Sequence, residues 1–292
     1  MYSKINNKFL KKIVLCLSII GIAMLSACGT RPQEANIDKS KLTIAVSIAP
    51  QQTFVEKICG DKVNIVTVIP IGASPENFDP TPKERIKFSD ADVFFTIGVQ
   101  SEENYILPYI NTSTRVCKCE EKVSEEYPDL TIGDERDPHI WLSPKRAVTM
   151  VKYMRDTMCE IDKENSDFYT KNANSFIDEI NAADLQIKEI LKDSQNKSFL
   201  VFHPAFQYFA DDYGLNMIEF EHEGKDITAK RLTEMIDIAR KENIKVIFHQ
   251  AEITSDKLQA FADEIGGKTV ELYPLSTNYI ENLISMANAF KQ

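Results

Sequence analysis

Glu76, His139, His203 and Tyr273 carry donor atoms from which a metal site could be assembled, with His249 and Gln250 as further candidates. His139 sits in Asp137-Pro138-His139-Ile140-Trp141-Leu142-Ser143-Pro144, which holds the chain's only Trp and one of its four His. Pro138 and Pro144 fix φ and push the residues before them towards extended geometry, so this is a stiff loop, and Pro144 is placed to start a helix. A set of two imidazoles and oxygen donors suits Zn²⁺, Mn²⁺ or Fe better than the hard, all-oxygen cations. An isolated imidazole serves equally well as a hydrogen-bonded buried group. His222, flanked by Glu221 and Glu223, reads as solvated or salt-bridged and stays outside the set.

The elements that must position these donors follow from periodicity and caps. Leu42 to Ile48 predicts a buried strand, Pro50 to Cys59 a helix closed by Gly60, and Val63 to Ile69 a second strand. A loop rich in Gly, Ser, Asn and Pro, Ile71 to Pro82, leads to a short helix ending near Asp90. Strands at Val93 to Ile97 and Thr114 to Cys119 follow, then an acidic surface stretch, Glu120 to Asp137. Beyond Pro144 the pattern is helical. Ala147, Val151, Met154 and Met158 mark one helix, and Tyr169, Ala173, Phe176, Ile180, Ala183, Ile187 and Leu191 mark a second, from Asp162 to about Lys192. At 1.5 Å per residue, roughly 30 residues span about 45 Å. A second α/β half comes next, with strands at Ser198 to Phe202, Leu215 to Glu221, Lys245 to His249 and Thr269 to Leu272. Its helices run over Ala205 to Tyr213, from a Thr228 cap to Glu242, over Ser255 to Ile265 and over Thr277 to Phe290.

The expected fold class is therefore α/β, two βα-repeating lobes joined by a long rigid helix with a cleft between them. The expected boundaries are 41–145 for the first lobe, 146–195 for the helical connection and 196–292 for the second lobe. Ligands of open α/β sheets lie beyond the carboxyl ends of the strands. Glu76 follows the second strand, His203 follows Ser198 to Phe202, His249 and Gln250 end the third strand of the second lobe, and Tyr273 follows the last. Both lobes thus aim donors at one cleft.

Composition sets the outer limits. The 292 residues are 43% hydrophobic and 27% charged, enough for substantial cores, and a net charge of −10 argues against a nucleic-acid partner. Lys4, Lys8, Lys11 and Lys12 precede an apolar run from Ile13 to Leu25, the order of a secretory signal in residues 1–27. Leu25-Ser26-Ala27-Cys28 resembles a lipobox, which makes Cys28 a lipid anchor and residues 28–40 a tether. Of the other cysteines outside the signal, Cys59, Cys117, Cys119 and Cys159 lack paired-motif spacing. Cys117 and Cys119 would share a face of a strand, where a soft-metal pair is conceivable.

The loop Asp137 to Pro144 resembles the second metal motif of the zinc- and manganese-binding lipoproteins of bacterial ABC importers, the zinc-uptake and treponemal metal-receptor family. His203-Pro204-Ala205-Phe206-Gln207-Tyr208-Phe209-Ala210-Asp211-Asp212-Tyr213-Gly214-Leu215 is similar to its third motif, and the match runs in order over nearly the whole mature chain. Two ligand positions depart from that pattern. In Gly72 to Pro82, Glu76 stands where the family has a His, and in Leu272-Tyr273-Pro274-Leu275, Tyr273 stands where it has an Asp. A ligating Tyr273 phenolate would favour ferric iron or Mn²⁺; a neutral one would leave a water, Gln250 or His249 to complete a Zn²⁺ site.

The resemblance implies a monomeric, extracytoplasmic receptor, lipid-anchored to the cell membrane. It would capture Zn, with Mn or Fe as alternatives, through Glu76, His139, His203 and Tyr273, and deliver the ion to a membrane permease without catalysis. A zinc metallohydrolase using His139, His203 and Glu76 is a rival, although no His-Glu-x-x-His helix and no separate general base are evident. An adhesin-like surface lipoprotein with a vestigial cleft is another.

Overall fold

The computed structural model describes residues 38–194, 197–220, 228–251 and 256–291. Met1–Asp38 separates from Lys39–Gln292, and the fold lies in the second unit. The signal, Cys28, nearly all of the tether and His222 fall outside the described residues.

The first sheet contains β1 (Thr43–Val46), β2 (Asn64–Thr67), β3 (Val93–Thr96) and β4 (Arg115–Lys118), in the order β2-β1-β3-β4. Every pairing is parallel, with Val46 opposite both Thr67 and Phe95. A parallel sheet needs crossovers, and α1 (Ala49–Cys59) and α2 (Pro82–Phe88) lie in the first two of them. The Thr81 hydroxyl accepts from the Glu84 amide while the Glu84 carboxylate takes the Thr81 amide at 2.8 Å. This capping box fixes where the loop carrying Glu76 ends.

The stretch expected to be an acidic surface segment is more structured than that. It forms α3 (Cys119–Ser124) and a small antiparallel hairpin, β5 (Thr131–Ile132) and β6 (Glu135–Arg136). Glu120 turns inward, where its carboxylate accepts from the Thr96 hydroxyl at 2.8 Å. Gly98 makes room for it: its φ is +83°, and a Cβ there would lie 2.7 Å from Glu120 Cγ. Cys117 lies on β4 and Cys119 opens α3; both are buried, and all four described cysteines are free thiols.

Pro144 starts α4 (Pro144–Ile161), capped by Ser143, and a short 3-10 turn at Lys163–Asn165 leads into α5 (Ser166–Leu191). The helix expected from Asp162 is therefore a turn plus 26 helical residues. Tyr169, Ala173, Phe176, Ile180, Ala183, Ile187 and Leu191, the stripe predicted from spacing, are its buried face.

The second sheet repeats the plan. Its strands β7 (Ser198–Val201), β8 (Asn216–Glu219), β9 (Val246–Gln250) and β10 (Lys268–Leu272) are all parallel in the order β10-β9-β7-β8. Helices α6 (Gln207–Tyr213), α7 (Ala229–Lys241), α8 (Asp256–Glu264) and α9 (Tyr279–Phe290) accompany them. Gly214, with φ +64° and ψ 36°, ends α6 in the left-handed conformation that favours glycine. Among the described residues no helix is long and apolar enough to cross a membrane.

One hydrophobic cluster runs from β1 and β3 through α4 and α5 to Phe199, Phe206, Phe209, Phe248 and Phe290 of the second lobe. The other face of the second sheet has its own smaller cluster, with Leu200, Phe220, Met235, Ile247, Leu258 and Phe261. The carboxyl ends of both sheets meet at the cleft.

Candidate metal centre

Glu76, His139 and His203 each present one ligand atom, and those atoms all lie within 4.8 Å of one another. The three come from separate stretches: the loop between β2 and α2, the turn before α4, and the residues after β7. The His139 and His203 rings are edge to face with centroids 5.4 Å apart. His203 Nε2 lies 3.0 Å from Glu76 Oε1.

His139 is held most tightly. Its ring Nδ1 lies 2.7 Å from Asp137 Oδ1, and its backbone amide donates to the same oxygen at 2.9 Å. This turn, in which an Asp side chain takes the amide two residues on, is built by the local sequence Asp-Pro-His. It assigns the Nδ1 proton to the carboxylate and leaves the Nε2 lone pair for a metal. Asp137 is fully buried, and its second oxygen has no hydrogen-bond partner among the described residues. An uncompensated buried carboxylate behind an imidazole strengthens that imidazole as a ligand and favours a cation on its far side.

Glu76 contrasts with the buried His139, its side chain being 40% exposed. Burial works to raise the pKa of its carboxyl, but the His203 hydrogen bond and the charges of His203 and His139 outweigh it, so the net direction is downward. The group is therefore an anion ready to ligate. Its loop is anchored where the Ser101 hydroxyl donates to the Pro75 carbonyl at 2.5 Å. Ser101 in turn precedes a π-helical turn, Glu102–Ile106. Beside the cluster lies a cavity of about 530 Å³ lined by Glu76, His203, Val99, Gln100, Asp134 and Glu135, among others. The β5–β6 hairpin thus brings two further carboxylates to the mouth of the site.

Tyr273 is engaged by a residue outside this group. Its ring is 52% exposed, and its hydroxyl donates to Glu271 Oε2 at 2.8 Å. The reason is local. Trp141 Nε1 donates to the Pro274 carbonyl at 2.8 Å, holding the backbone beside Tyr273 against the His139 turn, while the phenol itself is turned to the carboxylate two residues back. The segment expected from the strand ends is at the cleft wall, with its side chain directed elsewhere. His249 and Gln250 end β9, where His249 Nδ1 lies 3.2 Å from the Gln250 carbonyl; His249 does not join the three-residue group. Sequence reasoning did not assign Asp137 its orienting part, although an Asp two residues before a His is a readable signal for such a turn.

The long helix α5 connects the lobes, and the three-residue group draws on both, so the fold and site define a two-lobed class of α/β protein with the donor set of a metal site between its lobes. The chain belongs to the family described as zinc-uptake complex component A, periplasmic, which matches residues 44–292. It is similar to a zinc-binding lipoprotein, AdcA, of Streptococcus pneumoniae serotype 4, at 28% identity over 97% of this chain and 61% of that protein. It therefore spans about three fifths of the length of that relative. It is likewise similar to the high-affinity zinc uptake system protein ZnuA of Bacillus subtilis, at 28% identity over 86% of this chain and 85% of that protein. A crystal structure of ZnuA superposes with a TM-score of 0.81 at 30% identity, covering 86% of this chain and 98% of the other.

Proposed function

We propose that this protein is an extracytoplasmic receptor that captures a divalent transition metal between its lobes and hands it to the membrane permease of an ABC importer. Zn²⁺ is the first choice and Mn²⁺ or Fe the next. The observation that carries the reading is the convergence of Glu76, His139 and His203, from distant parts of the chain, within 4.8 Å. Two neutral imidazoles with the Glu76 and Asp137 carboxylates balance the charge of a dication, and the mixed nitrogen and oxygen set suits zinc. The names of the relatives, a zinc-binding lipoprotein and a zinc uptake protein, support the same choice of cargo. A water is the natural fourth ligand, since Tyr273 is engaged by Glu271.

No reaction is part of this reading. Glu76, the one carboxylate among the three donors, is taken up as a ligand and cannot also serve as a separate base. Cys28 is the proposed lipid anchor, residues 41–145, 146–195 and 196–292 are the proposed lobes and connection, and the receptor acts as a monomer at the outer face of the membrane.

Elemental analysis tests the proposal. The mature chain, purified without chelator, is expected to carry one equivalent of Zn, Mn or Fe, and the His139→Ala and His203→Ala variants to lose it. A parent with no stoichiometric metal and no metal-dependent thermal shift would overturn the reading.

A further inference from the structure

The two imidazoles of the site belong to different lobes, so something must set the distance between them. Helix α6 begins four residues after His203 and projects Tyr208 and Asp212, one helical turn apart, from the same face. Tyr208 is fully buried. Its hydroxyl donates to the Asp137 carbonyl at 3.0 Å and accepts from the Leu130 amide at 3.2 Å. It therefore grips both ends of the segment containing the β5–β6 hairpin, which the Asp137 amide closes on the Leu130 carbonyl at 2.8 Å. Asp137 is the residue that orients the His139 ring. Burial pushes the Tyr208 phenol up to about 12, so the hydroxyl stays a donor at neutral pH.

Asp212 holds the other side of the same turn. Its Oδ2 accepts from the Ser143 hydroxyl at 2.5 Å and its Oδ1 from Arg146 Nη1 at 3.0 Å, with Lys145 Nζ at 2.5 Å. The buried Arg146 guanidinium lies 4.3 Å from the centre of the Tyr208 ring, and its other arm donates to the Pro128 carbonyl at 3.3 Å. The backbone carrying His139 is thus tied before and after the imidazole to the helix that follows His203.

We propose that Tyr208, braced by Arg146 and Asp212, is the positioning residue that sets the spacing of His139 and His203 and so tunes the strength and geometry of metal binding; this rests on the receptor reading above. It predicts a division of labour in which the two imidazoles form one fixed jaw and Glu76, on its exposed loop, is the ligand that adjusts. Metal sites tolerate only small misplacements of their ligands, and loss of a partner that orients one costs about 10- to 100-fold in affinity.

The test compares Tyr208→Phe with Tyr169→Phe. Tyr169 is equally buried and donates its hydroxyl to Asp162 at 2.6 Å, at the turn between α4 and α5 and away from the donor set. Both variants are titrated with Zn²⁺ against a chromophoric chelator, and both are loaded with Co²⁺ for visible spectroscopy. Tyr208→Phe is expected to bind Zn²⁺ about 10- to 100-fold more weakly, with shifted Co²⁺ ligand-field bands. Tyr169→Phe is expected to melt earlier but to keep the parent's affinity and spectrum. Parental affinity and spectrum in Tyr208→Phe, whatever its melting temperature, would overturn the positioning assignment. Should Tyr208→Phe not fold, Asp212→Asn carries the same expectation and the same refutation. A parent that binds none of Zn²⁺, Co²⁺, Mn²⁺ and Fe²⁺ refutes the receptor reading itself and this assignment with it, an outcome distinct from a binding parent with an unaffected variant.

Discussion

The two lobes share a sheet order and differ in what lies behind the sheets. The first sheet, α4, α5 and one face of the second sheet are parts of one continuous apolar cluster. The opposite face of the second sheet, with α7 and α8, packs separately. His139 is flanked by Ile140, Trp141 and Leu142 of the continuous cluster, and His203 is followed there by Ala205 and Phe206. Phe202, on the other side of His203, packs against the edge of the separate one. A binding site shared between two lobes is thus built where the lobes have a common core, and tight geometry does not depend on a hinge.

Phe290 sits at the centre of the aromatic part of the common core. Its ring packs against those of Phe199, Phe206, Phe209 and Phe248. Phe290→Ala should cost about 3–5 kcal/mol and lower protection from hydrogen exchange in both lobes. Phe261→Ala, in the separate cluster, should remove a ring of the same size yet deprotect mainly α7 and α8. Equal loss of protection in both lobes from both variants would mean that the two clusters unfold as one.

A smaller effect comes from the cargo. Zn²⁺ at a hundred times its Kd should add about 2.7 kcal/mol of stability, visible as a rise in Tm that His203→Ala abolishes. Trp141→Phe should cost about 1–3 kcal/mol, because it deprives the Pro274 carbonyl of its 2.8 Å donor at the join between lobes. Denaturant titration measures it, with an unchanged m-value expected.

The last expected effect is a slope against pH. Glu102 is buried behind Ile97 and Gly98, accepting hydrogen bonds from both of their amides and from Ser47. Burial raises its carboxyl from 4.5 to about 8, and the charge of Glu120 adds to the rise, while the hydrogen bonds from Ser47, Ile97 and Gly98 oppose it. Between those values the folded protein holds a proton that the unfolded chain has released. The associated stabilisation is full below about 4.5 and fades as pH rises through 8. Stability measured from pH 5 to 8 should therefore decline, and Glu102→Gln, which cannot release a proton, should flatten that decline.

Much of this architecture was legible beforehand because its signals are local. The seven-residue stripe of α5, Pro144 at the start of α4, the Thr228 cap of α7 and the glycine that closes α1 each declare themselves within a turn or two of chain. The three donors were legible as well, since each follows a strand end or a proline-stiffened turn. What escaped depends on partners far away in sequence. Glu120 turns inward because Gly98 leaves room for it. Tyr273 turns outward because Trp141 holds the neighbouring carbonyl and Glu271 takes its hydroxyl. Tyr208 and Arg146 carry no local signal of their part, and only the packing of α6 against the His139 turn gives them a role.

Helix α9 closes the structure from its far end. Tyr279 packs edge to face on Phe54 of the first lobe at 4.8 Å, and the Thr53 hydroxyl reaches the Thr277 carbonyl at 2.8 Å. Eleven residues on from Tyr279, Phe290 completes the aromatic cluster of the second lobe. The common core thus needs α9 before it is whole, and contacts between positions so far apart in sequence form late in folding. A core closed by partners 224 positions apart cannot be completed by either lobe alone.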